Sequence, residues 1–198
     1  MRAMTRRLGI AVSLLAAPLA FAQAGAGTAV PSAAQTGSAA EAGAQGVASA
    51  GAAPAALTVK MMDVKSQPVG TATLTQAPHG VLIAVDLHGL KPGVHAIHLH
   101  ETGKCEPPFK TAGGHFNPAH KQHGFLVAEG AHGGDLPNLD VPADGKVKAE
   151  FIAHDVSIEG GLLDADGAAL VIHAKADDYR SQPAGEAGDR VACGVIQK

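Results

Sequence analysis

The sequence carries no run of basic residues, no internal repeat, no convincing helix in its folded part and only two cysteines. With 15 Lys and Arg against 18 Asp and Glu, its formal charge is −3. That balance removes the electrostatic case for a nucleic-acid partner or an anionic membrane surface. Long hydrophobic runs are also missing. The one sustained apolar stretch, LGIAVSLLAAPLAFA at 8–22, is too short and too rich in Ala for a comfortable membrane span, so no span is expected in the mature form. No Cys follows it, which leaves lipid attachment there without an acceptor.

What does surround that stretch is a processing signature. Arg2, Arg6 and Arg7 precede it, and Ala20-Phe21-Ala22 fits a small-x-small cleavage site. Residues 1–22 therefore read as an export signal. From 23 to 53 the chain is almost wholly Ala, Gly, Ser, Thr and Gln, which cannot bury enough surface to offset the entropy of ordering, and reads as a flexible tether. Residues 54–198 are left as the folded domain, a length that suits a single one.

Within that domain, short runs of β type recur: 57–64, 69–77, 80–90 and 94–101, separated by the turn chemistry of Gln67-Pro68, Pro78-His79-Gly80 and Lys91-Pro92-Gly93. These four predict a meander. Three more follow at 146–156, 169–174 and 190–196, and the sum is an all-β sandwich or barrel. Between them lies a stretch of some forty residues, roughly 102–145, rich in Gly, Pro, His and Asp. A compact domain rarely keeps so long an irregular segment unless it has a job or a tie.

The tie is suggested by what is abundant: 11 histidines. In HAIHLHE (95–101), Ile97 and Leu99 alternate with His98 and His100, so a strand would send the aliphatic pair to one face and the imidazoles to the other. In the long loop, His115, His123, His132 and Asp135 form a nitrogen and oxygen donor set that tetrahedral Zn²⁺ accepts. His173 adds a further imidazole on a later strand. Imidazole-rich sites suit Cu(II) and Zn²⁺ alike, so ligand type alone does not choose the metal. Any one of these histidines by itself is an ordinary surface or hydrogen-bonded residue.

GVHAIHLHETGKC, GGHFNP, HGGDLPN, VIHAKADD and DRVACGVI, in that order, resemble the copper-zinc superoxide dismutases over about 94–196, most of the folded part. The resemblance is to the exported bacterial type. It implies an all-β Greek-key β-barrel of about eight antiparallel strands with long metal-binding and electrostatic loops. It also implies one copper per subunit on His98, His100, His115 and His173, and one zinc on His115, His123, His132 and Asp135, with His115 shared between the metals. Asp177 matches the carboxylate that links a copper histidine to a zinc histidine, and Arg190 the arginine that guides the anion over copper. Cys105 and Cys193 fall where the family places its intrasubunit disulfide, a pairing that also suits two lone cysteines in an exported protein.

The implied activity is disproportionation of superoxide to O₂ and H₂O₂ by alternating copper reduction and oxidation, with His115 and Arg190 as catalytic residues. The expected setting is the periplasm if the source is Gram-negative, otherwise the cell envelope or the outside, and the expected state is monomer or homodimer. The competing reading is a non-catalytic copper- and zinc-binding or metal-buffering domain on the same scaffold. Two departures from the family stand out: 179–189 is shorter than the corresponding loop of the eukaryotic cytosolic enzymes and lacks their lysine, and the stretch between Cys105 and His115 is compact. The remaining histidines have ordinary readings. His79, His88 and His154 belong at turns or strand ends, His120 matches no ligand position, and His95 shares the parity of Ile97 and Leu99 and should brace the ligand strand from inside.

Overall fold

The computed structural model of the chain describes residues 56–198; the expected export signal at 1–22 and tether at 23–53 lie outside the described residues. Three strands, β1 (Ala56–Asp63), β2 (Pro68–Ala77) and β3 (Gly80–Leu87), form consecutive antiparallel hairpins. In β3 the alternation is plain: Val81, Ile83, Val85 and Leu87 are buried, while Leu82 and Asp86 face out.

The expected four-strand meander stops at three. The free edge of β3 is taken along its whole length by β7 (Val147–His154), from Gly80 opposite His154 to Leu87 opposite Val147. The next run must therefore cross over, and it splits at Ala96 into β4 (Gly93–His95) and β5 (Ile97–His100). β4 pairs with β6 (Leu139–Val141), whereas β5 pairs with β8 (Ala168–His173). The main sheet has the order β5-β8-β9-β1-β2-β3-β7, where β9 is Arg190–Ile196, and β4-β6 is a separate ladder. Counting 93–100 as one broken strand gives the expected eight. Hairpin-linked strands followed by a long crossover are the Greek-key pattern, and the barrel core is built from residues such as Met61, Leu74, Ile83, Leu99, Leu170 and Ile172.

The long irregular stretch is less empty than its composition suggested, since it contains β6 and a helical turn at Lys110–Ala112. Three residues are too few for period 2 to show. That helical turn explains β8, whose six residues are all buried. One face of β8 enters the core through Leu170 and Ile172, while the other is covered by Phe109 and Ala112, which pack with Ala169, Val171 and Cys193 in a second small apolar cluster. A strand covered on both faces reads as a continuous apolar run. The Cys105–Cys193 disulfide, with a Cα–Cα distance of 5.7 Å, fastens this cover to β9.

The bridge closes a sequence separation of 88 residues. On the chain-entropy model its removal should cost about 4–5 kcal/mol. Replacing both cysteines by Ala should lower the urea-unfolding free energy by up to that amount, and an unchanged unfolding curve would show that the cover holds without it.

Candidate metal centre

The candidate ligands gather on the outer face of the barrel, under the loops. In β5, Ile97 and Leu99 enter the core, so His98 and His100 face the other way. Across the ladder His98 lies opposite Val171 and His100 opposite Ala169, both members of the small outer cluster. A bulge between Ile172 and His173 sets His173 opposite Arg190 at the end of the β8–β9 pair, and bulges of this kind re-aim a side chain.

The free edge of β5 is not left to solvent. Phe116 N–H donates to Leu99 O and Leu99 N–H to Gly134 O, both at 2.9 Å, while Glu101 N–H reaches Gly114 O at 3.0 Å. Isolated bridges set His115 against His100 and Asp135 against His98. The irregular loop is thus laid along the ligand strand by backbone hydrogen bonds. Gly134 is required at this crossing, because a Cβ there would collide with Leu99 O and lie 3.0 Å from Phe116 N.

Two groups of four donors result. One ring nitrogen each from His98, His100, His115 and His173 lie within 4.8 Å of one another, and the same holds for donor atoms of His115, His123, His132 and Asp135. Hydrogen bonds fix which nitrogens are left bare. His98 donates from Nε2 to Asp177 Oδ2 at 2.9 Å, and His100 from Nδ1 to the Gly113 carbonyl at 3.0 Å. His173 Nδ1 faces Gly188 O at 3.4 Å. The opposite nitrogens are therefore lone pairs, and His100 Nε2 faces His173 Nε2 at 3.4 Å, a pair that offers no proton to share. His98 Nδ1 and His115 Nε2 are buried with no hydrogen-bond partner among the described residues. A buried orphan nitrogen is costly unless something electrophilic meets it.

On the other side, Asp135 Oδ1 lies 2.8 Å from His115 Nδ1, 3.0 Å from His123 Nδ1 and 3.2 Å from His132 Nδ1. His132 Nδ1 and His115 Nδ1 are 3.3 Å apart and converge on the same carboxylate oxygen. Four donors set around a tetrahedral Zn²⁺ at about 2.0–2.1 Å have edges of about 3.3 Å. The residues present fit that geometry. Asp135 Oδ2 is meanwhile occupied by the backbone N–H groups of Gly124 and His132, which orients the carboxylate.

The electrostatics follow from burial and pairing. Burial lowers the pKa of His98 from 6.5 to about 4, against the opposing hydrogen bond to Asp177. Burial likewise takes His173 to about 3 and pushes His100 well down. His123 goes the other way: burial would lower it, but hydrogen bonds to Asp135 and Asp177 lift it to about 9. Asp135 and Asp177, for which burial works upward, are nonetheless held below the usual carboxylate range by their histidine partners. Asp177 also joins the two sides, since its Oδ1 accepts from His123 Nε2 at 3.0 Å while its Oδ2 holds His98.

Arg190 stands beside the first group. Its Nη1 donates to Phe109 O and its Nη2 to Gly113 O, each at 2.6 Å. Arg190 and His173, with Glu186 and Gly188 between them, line a depression of about 230 Å³. Burial pulls the guanidinium below the usual arginine range, but arginine stays a cation in proteins.

The seven expected ligand positions fall in these two groups, Asp177 and Arg190 lie against them, and Cys105 and Cys193 are bonded to each other in the adjoining apolar cover. His79, His88, His120 and His154 are exposed and belong to neither group. His95 is buried and braces the site from inside, with Nδ1 at 2.7 Å from His173 O and Nε2 at 2.8 Å from Lys91 O. Residue-by-residue reasoning missed Asn138, whose side chain brackets Asp177 by accepting from its N–H at 2.8 Å and donating to its C=O at 2.9 Å. Its position as the last residue of HGGDLPN was the available signal.

Comparison with known proteins agrees with this geometry. The family model described as copper/zinc superoxide dismutase matches residues 68–196. A Cu-Zn superoxide dismutase of Caulobacter vibrioides is 48% identical over 150 residues, covering 72% of this chain and 85% of that protein. The Brucella abortus Cu/Zn superoxide dismutase structure superposes with a TM-score of 0.62 at 33% identity, covering 72% of this chain and 99% of that one. A superoxide dismutase-like protein of Bacillus subtilis gives 0.68 at 40% identity, covering 70% and 97%. Donor set, fold and sequence lead to one conclusion: the chain belongs to the copper/zinc superoxide dismutase family.

Proposed function

We propose that this chain disproportionates superoxide to O₂ and H₂O₂ with copper held by His98, His100, His115 and His173, and zinc held by His115, His123, His132 and Asp135. One observation carries the assignment: the two donor groups share His115, which turns Nδ1 to the carboxylate side and leaves Nε2 bare towards the imidazole side. When bound, copper supplies one-electron redox chemistry and zinc a fixed positive charge that does not change oxidation state.

The chain's own residues do the rest. Arg190 presents a fixed guanidinium beside His173, held in place by two backbone carbonyls. In a protein of net charge −3 that local positive group concentrates the anion at the mouth, a steering effect of which superoxide dismutases are a standard instance. A buffering domain has no need of such a cation. His115 Nε2 is the ring nitrogen placed to hold a proton next to a bound anion, while the Asp135 side anchors Nδ1. Asp177 and the Gly113 carbonyl keep His98 and His100 in their bare-nitrogen tautomers.

The same reading places the protein outside the cytoplasm, guarding the cell envelope, with cleavage near Ala22 and 23–53 as a tether. Arg2, Arg6 and Arg7 ahead of the apolar stretch support it, and a disulfide is at home in an oxidising compartment. Among the described residues no helix is long and apolar enough to cross a membrane. Amino-terminal sequencing of the protein recovered from an expressing culture should start close to Gln23; an intact Met1 on the exported protein would remove the signal.

Arg190→Ala should reduce kcat/KM at low ionic strength by on the order of 10-fold with copper content unchanged, and should flatten the salt dependence. A fully metallated variant with the wild-type rate would take Arg190 out of the reaction. The pH response has a defined sign. In the metal-free chain His98 and His173, depressed to about 4 and about 3, contribute stability that is present above 6.5 and lost as pH falls through 4 and then 3. His123, raised to about 9, contributes stability present below 6.5 and lost as pH rises through 9. Urea unfolding of the metal-free protein should therefore weaken on both sides of neutrality. Because zinc must displace the His123 proton, zinc affinity should climb up to about pH 9. A zinc affinity independent of pH between 6 and 9 would exclude His123 as a ligand.

A further inference from the structure

The loop after β8 carries an unassigned contact to the zinc-side ligands. Resting on the ligand assignment above, we propose that Gln182 is a positioning residue that clamps the His123 peptide and so ties the wall of the copper-side mouth to the zinc-side donors. His123 sits in irregular chain, where its backbone N–H and C=O have no ladder to join, and such groups demand partners. A glutamine carboxamide carries one acceptor and two donor hydrogens, so it can pair with both sides of a peptide.

Gln182 does so. His123 N–H donates to Gln182 Oε1 at 2.9 Å, and Gln182 Nε2 donates to His123 O at 2.9 Å and to Arg180 O at 3.0 Å. Three bonds hold a side chain that is otherwise exposed. Three residues further on, Gly185 comes down on the same histidine. At φ +67 it takes a conformation suited to glycine, and a Cβ there would collide with Asp177 Oδ1 and stand 2.8 Å from His123 Nε2. Asp178 N–H donates to Gly185 O at 3.0 Å, which closes the loop on itself.

His123 is thus held at four points: Nδ1 by Asp135, Nε2 by Asp177, the backbone by Gln182, and the ring edge by Gly185. Three of the four belong to 177–185. The same segment itself lines the depression over His173 and Arg190 through Gln182, Pro183 and Ala184, and continues into Glu186, Ala187 and Gly188, which line it further. A shift of the zinc-side histidine is therefore transmitted to the mouth, and loss of the clamp loosens both ends.

The test uses the full-length protein loaded with copper and zinc, comparing wild type, Gln182→Ala and Gln182→Glu. Zinc release into a colorimetric chelator should be roughly 10-fold faster in Gln182→Ala, the usual scale for losing a group that orients a ligand. Gln182→Glu keeps the acceptor for His123 N–H but not the donors, and should fall between. Cobalt placed in the zinc position should show a shifted visible spectrum in Gln182→Ala, which a change in overall stability would not produce. Exchange of the His123 amide proton, read in metal-loaded and metal-free protein, should speed up in the same order. Wild-type zinc release, spectrum and His123 protection in Gln182→Ala would overturn the clamp. A wild-type protein that takes up no zinc would overturn the ligand assignment instead, and the metal-free amide exchange would still decide whether Gln182 grips His123.

Discussion

Six imidazoles and one carboxylate crowd their lone pairs into a space that hydrogen bonds alone do not satisfy. His98 Nδ1 and His115 Nε2 are buried without partners among the described residues, and His100 Nε2 faces His173 Nε2. Each arrangement is unfavourable for neutral imidazoles and becomes favourable around a cation. The loop between β5 and β6 depends on that exchange, because its apolar anchors are few: Phe109 and Ala112 under the outer face of β8, Leu136 in the core and Phe116 half-buried against it. Where a hydrophobic core would normally order a segment of this length, backbone bonds to the edge of β5 do so.

The site's position on the outside of the barrel follows from the strands themselves. β8 needs cover on both faces, and the compact segment from Cys105 to Ala112 provides it on one. The same cover sets the carbonyls of Phe109 and Gly113 where they grip the Arg190 guanidinium, and Gly113 O also fixes the tautomer of His100. The disulfide thus stabilises more than the chain: it fastens the element whose carbonyls hold both the His100 ring and the Arg190 guanidinium. Packing, imidazole orientation and charge placement share one small piece of structure.

Carboxylates give the centre its internal order. Asp135 orients three histidines with one oxygen and takes two backbone N–H groups with the other, while Asp177 reaches a histidine on each side. Asn138 and Tyr179 then orient Asp177: Asn138 through both of its side-chain atoms, and Tyr179 by donating its N–H to Asp177 Oδ1 at 2.6 Å while its hydroxyl accepts from Asn138 N–H at 2.7 Å. These outer partners are exchangeable polar residues in loops. They could be weighed only once their neighbours were known.

The sequence by itself determined the β character of the chain, the outward parity of His98 and His100 against Ile97 and Leu99, and the motifs whose donor atoms cluster in the fold. Those follow from local rules: period 2 in a strand, turn residues between strands, and donor types that suit a metal. Only the tertiary structure decided that the fourth run breaks at Ala96 and crosses to β8, that three residues at 139–141 form a strand, and that Asn138 bonds to Asp177 and Gln182 to the His123 backbone. Each of these depends on a partner far away in the chain. An edge already filled by β7 forces the crossover, a three-residue strand exists because β4 is there to pair with it, and an exposed glutamine acquires a role because His123 comes within hydrogen-bonding distance.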